Sequence, residues 1–596
     1  MAKSKPGKSV YIKREIADIL QQIKDAKQED RLLTFLSQNL ELILDENAAI
    51  PVIPSDISDD EEEKVIRLNE DQENAIRVLN DWFNSDKQTA TLSGAGGTGK
   101  TFTVGYWIKQ LRCYLQDKLD DLKPDDLFSY DDYDFFDDDD SRLWDFFDDN
   151  PKSRDRFCDL KDTQLALGSD AGVLFLAPTH KAKNVLDKSL KSCMLDFPVK
   201  VYTVAQALGK QPVIDSRGEE EFIGKGDSNF IEMAQLVIID EASMVSKEDY
   251  HHILTRATKV LFMGDKNQLP PVGESEALAF VDIPDCELKK VMRYSGHILS
   301  ECDKLREGVE KKFIYTIKSD GKQIIKLKHQ DALTKAIDLF SSEQFEKDST
   351  FCRIVAYRNK IVDSNNSFIK PKVYGRDDDY FEGLRLIAAK PIQRKSISLI
   401  NNRKKSNNEV EWDIYCNNSE ELIITSNPEV VEIDESLLVD MPKDCKELEA
   451  LIGVGKATRF GCLSENGLSF NSIILDKEAY SKKQKLIKDI KKFYQEEQDL
   501  IKNIKKVDRK EKERLQERGK IFKNALIFLY RWGDELKDIF CSTVHKAQGS
   551  TYNHVFICLD DILKPPFKKE FQQSDDRPKL LYTAVSRASE KVYLID

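Results

Sequence analysis

Gly94-Ala95-Gly96-Gly97-Thr98-Gly99-Lys100-Thr101, entered from the apolar Ala90-Thr91-Leu92 and left through Phe102-Thr103-Val104, reads as strand, loop and helix. Its four glycines let the backbone turn tightly enough for successive N–H groups to surround a polyphosphate, and the helix that follows adds the positive end of its dipole. The stretch fits the complete pattern G-x-x-x-x-G-K-[ST], in which Lys100 reaches the β- and γ-phosphates and the Thr101 hydroxyl ligates Mg²⁺. Glycine-rich loops match such patterns by chance too, so this stretch alone implies a bound nucleotide and nothing finer.

Working outward, the apolar run Gly172 to Ala177 suits a strand buried on both faces, and Pro178-Thr179-His180-Lys181-Ala182 opens a helix behind it. Leu236-Val237-Ile238-Ile239 ends in Asp240-Glu241-Ala242-Ser243, placing two carboxylates at a strand's C-terminal end, where open parallel sheets bind ligands. Asp240 is expected to hold Mg²⁺ through water and Glu241 to orient or deprotonate an attacking water. A further strand, Val260 to Met263, runs into Gly264-Asp265-Lys266-Asn267-Gln268-Leu269-Pro270-Pro271-Val272. Alternating strands and helices predict an α/β fold with a parallel sheet covered on both faces. Upstream, Asn69 and Gln72 stand three apart as in a helix-capping box; the Gln72 amide either closes that cap or reads an adenine edge. Between the strands, Val213-Ile214-Asp215 and Glu221-Phe222-Ile223 flank a turn at Ser216-Arg217-Gly218 and predict a hairpin.

Beyond Gly296 the chain repeats the theme with Ile354-Val355-Ala356-Tyr357, Val555 to Leu559 and the closing Lys591 to Ile595, predicting a second parallel-sheet domain. An insertion over 370–534 interrupts it. There Leu422 to Thr425 and Ser472 to Leu475 read as strands, and a lysine-rich helix follows. Its stripe Leu486, Ile490, Phe493, Leu500, Ile504 and Val507, interrupted by Glu497, predicts a helical arm whose lysines form either a solvated face or a phosphate-contacting one.

A chain of 596 residues is too long for a single core and is expected to form three to five units. No apolar run approaches bilayer length and Met1 begins no secretion signal, so a cytoplasmic protein without membrane contact is expected. Eleven cysteines with no C-x-x-C pair argue against zinc, iron–sulfur or disulfide frameworks. The net charge of −14 weighs against nucleic acid only on average, because much of it lies in Asp56–Glu63 and in Asp125–Asp149. Phe and Tyr interleave the second run, which is either a solvated insertion or a segment that docks a protein partner or mimics nucleic acid.

Phosphoryl transfer also needs cations around the γ-phosphate. Arg293 and Arg587 are the candidates, both in sequence assigned to the second domain, so ATP is expected between the two domains and to draw them together. Gln72, Gly94 to Thr101, Ala177 to Ala182, Val237 to Ser243, Gly264 to Val272, Arg293, Thr543-Val544-His545-Lys546-Ala547-Gln548-Gly549-Ser550-Thr551 and Val585 to Ala588 together resemble, in order and spacing, the superfamily 1 helicases, most of all their 5′-to-3′ branch of RecD-like and phage Dda-like enzymes. The resemblance covers about residues 66 to 596.

It implies two RecA-like motor domains, with an SH3-like 2B region inserted in the second. The expected divisions are a helical appendage over 1–55, an acidic linker over 56–66, domain 1A over 67–284, domain 2A over 285–369 and 535–596, and 2B over 370–534. Domain 1A would include an acidic insertion over 116–168 and a strand-separating pin over 210–225. The resemblance further implies that Gln72 contacts adenine, Gln268 couples the γ-phosphate to the DNA track, Gly549 lies near the nucleotide and Arg293 and Arg587 are arginine fingers. Pro178, Thr179, His180, Thr203 and His545 would line a single-strand track, chiefly through backbone. Ala205 departs from the larger polar residue common there, and neither the acidic insertion nor the N-terminal helices have a counterpart in the family pattern. The expected activity is ATP- and Mg²⁺-dependent unwinding of DNA at duplex junctions; remodelling of RNA, or service as an ATP-switched subunit of a repair or defence complex, are the alternatives.

Overall fold

The computed structural model describes residues 68–120, 172–193, 195, 199–224, 230–395, 412–503, 509–564 and 576–595. The expected N-terminal appendage, the acidic linker up to residue 67, and the acidic insertion beyond the P-loop helix lie outside them; that helix spans Lys100–Asp120 and includes the first positions assigned to the insertion.

Each apolar run that ends in a motif is a strand of one sheet: β1 (Thr89–Gly94), β2 (Val173–Ala177), β3 (Lys200–Thr203), and, after a two-stranded hairpin of β4 (Lys210–Ile214) and β5 (Glu220–Gly224), β6 (Leu236–Ile239), β7 (Val260–Gly264) and β8 (Cys286–Leu288). The order β3-β2-β6-β7-β1-β8 is parallel at every pairing. β2, β6 and β7 are buried along their whole length, which is why their sequences are unbroken apolar runs without alternation. Burial of each such side chain stabilises by roughly 1.5–3 kcal/mol. One boundary moves. β8 pairs with β1 through Leu92↔Cys286 and Gly94↔Leu288, so the first sheet continues past the expected division at 284.

The second sheet starts with β9 (Ile324–Leu327) and β10 (Cys352–Ala356). The helix Asn359–Tyr374 then packs Ile369 into that sheet's core, so the insertion does not begin at 370. It consists of β11 (Arg385–Ala388), β12 (Ile392–Lys395), β13 (Trp412–Cys416), β14 (Glu421–Ile424), β15 (Glu429–Glu432), β16 (Lys456–Ser464) and β17 (Ser469–Leu475), then the helices Lys477–Asn503 and Arg509–Arg531, then β18 (Leu536–Asp538). β18 pairs antiparallel with β11, which carries the insertion past 534. The chain finally completes the second sheet with β19 (Cys541–Thr543), β20 (Tyr552–Cys558) and β21 (Ala588–Ile595), in the order β19-β10-β20-β21-β9, again parallel throughout.

The two long helices form the expected antiparallel arm, but the seam differs from the expected stripe. Ile487, Tyr494 and Glu497 are buried beside Leu486 and Ile490, whereas Phe493 and Leu500 are exposed and Ile504 and Val507 lie outside the described residues. Glu497 sits in the seam because Arg518 of the second helix pairs with it at 3.0 Å. Among the described residues no helix is long and apolar enough to cross a membrane, and the ten described cysteines are all free.

Candidate functional site

The P-loop leaves β1 and enters the helix Lys100–Asp120 with Gly97 and Gly99 at φ +84°, backbone that a side chain would strain. The connection from β8 runs directly over it, with Met292 N donating to Gly97 O at 2.7 Å. A side chain at Gly96 would meet Arg293 Nη1 at 2.7 Å and Arg587 Nη2 at 3.6 Å, and one at Gly97 would run into the Arg293 backbone. The two arginines therefore converge on the loop. Arg293 lies in the connection between β8 and the helix Gly296–Lys311, next to Tyr294, which is buried in the second sheet's core; Arg587 follows the second sheet's helix Arg577–Val585. Arg587 is held by Thr583 O at 3.1 Å, Ser550 O at 3.2 Å and Ser586 Oγ at 3.1 Å. Burial and the neighbouring Arg587 charge pull the Arg293 guanidinium below its ordinary range, and Glu241 pulls it back.

Lys100 Nζ donates to Gly94 O at 2.8 Å and Ala95 O at 3.2 Å, carbonyls of its own loop. Asp240 and Glu241 stand at the end of β6. Glu241 is one of three non-glycine residues with positive φ among those described, at +49°, and its N–H donates to Asp240 Oδ1 at 2.9 Å. Burial, then the Glu241 charge, raises the Asp240 carboxyl to about 6, against the pull of Lys100. A buried acid pushed up in this way is a place that a cation would relieve. With the Thr101 hydroxyl it supplies hard oxygen donors of the kind Mg²⁺ takes, together with water and phosphate. No group of three or more metal-ligating side chains occurs among the described residues.

Gln72 lies 5% exposed at the third position of the helix Glu70–Phe83. The cap is complete, since Asn69 N donates to Gln72 Oε1 at 3.0 Å and Gln72 N to Asn69 Oδ1 at 3.1 Å. The oxygen is used, and the nitrogen faces the loop: Nε2 stands 3.0 Å from where a Gly99 side chain would begin. The two readings left open by the sequence are thus compatible on one amide. Gln268, 2% exposed, donates from Nε2 to Asp265 Oδ2 at 3.2 Å while its Oε1 has no partner within the protein.

The track candidates fall on a structural repeat. Thr203 ends β3 and caps a four-residue helix; Thr543 ends β19 and caps another, each accepting from the backbone three residues on. Gly209 and Gly549, each six residues after its threonine, have φ +60° and +77°. Ala205 in the first sheet is matched by His545 in the second, both half-buried, and exposed Gln206 by exposed Lys546. Pro178, Thr179 and His180 form a third such strand end, with Thr179 capping the helix His180–Ser192 through Ala182 N at 3.2 Å. The Thr179, Thr203 and Thr543 hydroxyl oxygens accept the cap bonds, so these turns offer a phosphate backbone N–H groups together with the hydroxyl O–H. Burial, then the Lys183 charge, lowers His180 to about 4, and burial lowers His545, so both imidazoles are neutral at pH 7. A side chain at Gly549 would meet Ala182 Cβ at 3.7 Å, across the cleft on the helix behind β2.

Contacts that no motif reading singled out also join the two sheets. Gln548 Nε2 reaches Ser243 Oγ at 3.5 Å and Leu269 O at 3.4 Å, and Leu269 packs into the second sheet's core. Lys181 Nζ lies 3.4 Å from the Tyr552 hydroxyl, and the Arg353 guanidinium sits over the same ring and pairs with Glu421 of the insertion at 3.1 Å. The hairpin tip rests on the helical arm. Tyr530 OH donates to Gly218 O at 3.0 Å, Gln495 Nε2 to Arg217 O at 2.8 Å, Lys491 pairs with Glu219 at 2.6 Å, and Ile214 is buried in the arm's core.

Two parallel sheets meeting at a P-loop on which two arginines converge define a two-domain nucleotide-driven motor. Residues 161–325 match the AAA domain model and residues 538–595 the UvrD-like helicase C-terminal domain model. The chain is 26% identical over 452 residues to uncharacterized protein R530 of Acanthamoeba polyphaga mimivirus, covering 70% of this chain and 88% of that one. It is 23% identical over 336 residues to the ATP-dependent DNA helicase Dda of Enterobacteria phage T4, covering 54% of this chain and 62% of that one. Over 119 residues it is 35% identical to the RecBCD enzyme subunit RecD of Buchnera aphidicola, 18% of this chain and 19% of that one. A Bacteroides Pif1 helicase structure, with ADP-AlF3 and single-stranded DNA, aligns over 89% of this chain and 92% of its own at 12% identity and a TM-score of 0.38, too loose a likeness to bear on the site. The two domain models and the Dda and RecD relatives support a helicase of superfamily 1B.

Proposed function

We propose that this protein is an ATP-dependent DNA helicase that translocates 5′ to 3′ along single-stranded DNA and separates duplex. The observation that carries the reading is the convergence on Gly96, in the first sheet's P-loop, of Arg293 from the connection between the sheets and Arg587 from the second sheet. In the mechanism, Lys100 leaves the carbonyls of Gly94 and Ala95 for the β- and γ-phosphates, the loop N–H groups surround them, and the two arginines take up the charge that develops in the transition state. Thr101 and Asp240 would hold Mg²⁺, which when bound neutralises phosphate charge. Glu241, held in its strained turn, orients or deprotonates the attacking water, and Gln72 Nε2 faces the adenine.

Because the P-loop belongs to the first sheet and Arg587 to the second, nucleotide draws the sheets together and its loss frees them, a two-state motion. The repeated strand ends at Thr203 and Thr543 give each sheet its own backbone grip on one strand, without base readout. A grip on each moving part makes the motion directional. The polarity itself rests on the family.

Strand displacement with ATP and Mg²⁺ on 5′-tailed and 3′-tailed DNA duplexes, with Lys100→Ala as control, tests the reading. Displacement from the 5′ tail alone, lost in the control, is the expected result. DNA-stimulated hydrolysis without displacement, or displacement from the 3′ tail, would overturn it.

A further inference from the structure

Asp265 opens the loop after β7 and is 2% exposed. Its carboxylate accepts three hydrogen bonds: from Asn267 N at 3.0 Å on Oδ1, and on Oδ2 from Gln268 Nε2 at 3.2 Å and the Tyr582 hydroxyl at 2.6 Å. The first two are internal to the loop. The third crosses the cleft, because Tyr582 lies on the helix Arg577–Val585, whose last turn holds Arg587 just beyond its end: Arg587 Nε donates to Thr583 O, and Ser586 N to Tyr582 O. Tyr582 is wholly buried, and burial together with Asp265 pushes its phenol far up, so it remains a donor.

The geometry decides which end of the Gln268 amide is available. An ionised carboxylate only accepts, so the amide nitrogen must face Asp265 and the oxygen must face away. That oxygen is the buried atom without a partner. Gln268 therefore offers an acceptor, which suits a proton of the attacking water and not an oxygen of the γ-phosphate.

We infer that the Tyr582–Asp265 hydrogen bond is a positioning contact of the ATPase: it locks Gln268 with its carbonyl oxygen toward the attacking water, and it ties that orientation to docking of the helix that delivers Arg587. Water orientation and charge stabilisation then become available in one step, when the sheets close. Tyr582 and Asp265 touch neither water nor phosphate themselves; they act through Gln268 and Arg587. The inference rests on the ATP-hydrolysis reading above.

Tyr582→Phe removes one oxygen and keeps the buried ring. The test is steady-state hydrolysis at saturating single-stranded DNA, with binding of a fluorescent ADP measured with and without aluminium fluoride. The expected result is a kcat about tenfold lower, KM for ATP within about twofold, ADP affinity unchanged, and an about tenfold smaller gain in affinity on adding fluoride, since the contact acts in the transition state. Unchanged kcat would overturn the inference, as would ADP affinity falling in step with kcat, the mark of a structural role. Asp265→Asn carries the same expectation and stands in if Tyr582→Phe does not fold. Wild-type protein without hydrolysis would sink the underlying reading; active wild type with an equally active variant would sink this inference alone.

Discussion

At Gln72 a single amide serves the backbone with its oxygen and the loop with its nitrogen, so its removal has two separable consequences. Gln72→Ala loses one half of a capping box, which costs about 1 kcal/mol and lowers the thermal midpoint slightly. It also removes the donor that faces the base. KM for ATP is expected to rise about tenfold with kcat within about twofold, while KM for GTP changes little; steady-state hydrolysis of both nucleotides checks this, and equal changes for both would exclude base reading by Gln72. The cap was legible from Asn69 and Gln72 alone because it depends on residues three apart. That the nitrogen is left over and stands against Gly99 was not, because it depends on where the P-loop comes to lie.

The hairpin of β4 and β5 illustrates the scale of elements. Its two strands and turn follow from local sequence, and Gly218 at φ +76° closes the turn as expected. Its support is contributed by helices nearly three hundred residues away in sequence. The Glu219–Lys491 pair is solvent-exposed on the Glu219 side and is worth at most about 1 kcal/mol, whereas truncating a buried side chain such as Ile214 costs about 2–5 kcal/mol. Docking therefore depends on Ile214 more than on the ion pair. Ile214→Ala is expected to leave DNA-stimulated hydrolysis within about twofold and to slow duplex separation severalfold, as measured by strand displacement against ATPase on the same preparation. Loss of both together would mean that the hairpin supports the motor fold and not the separation of strands. The arm also shows how a stripe read from sequence goes astray: Glu497 looked like an interruption, yet its partner Arg518 comes from the facing helix, and a buried carboxylate is tolerated where a cation meets it.

Across the whole molecule, Tyr552 records contact between the parts. Burial raises its phenol, but the Lys181 ammonium from the first sheet and Arg353 from the second outweigh that and hold it at about 8. Its folded value thus lies below the unfolded one near 10. The phenolate's contribution to stability is complete above about pH 10 and is lost as pH falls through 8. Absorbance titration near 295 nm is expected to show one tyrosine ionising near pH 8, absent in Tyr552→Phe and shifted upward in Lys181→Met. No change in Lys181→Met would mean that Lys181 does not contact Tyr552 in solution.

What the sequence by itself determined is the local chemistry: a P-loop between strand and helix, Asp240-Glu241 at a strand end, the alternating pattern that requires parallel sheets, and the helical arm. Each is set by neighbours within a few residues, through glycine freedom, capping or unbroken apolar runs. Only the tertiary structure decided that β8 belongs to the first sheet, that Arg293 and Arg587 meet over the P-loop, that Gly549 faces Ala182, and that Asp265 meets Tyr582. These depend on strands pairing across long separations and on two cores closing over one loop, and no spacing along the chain encodes which buried donor will find which buried acceptor.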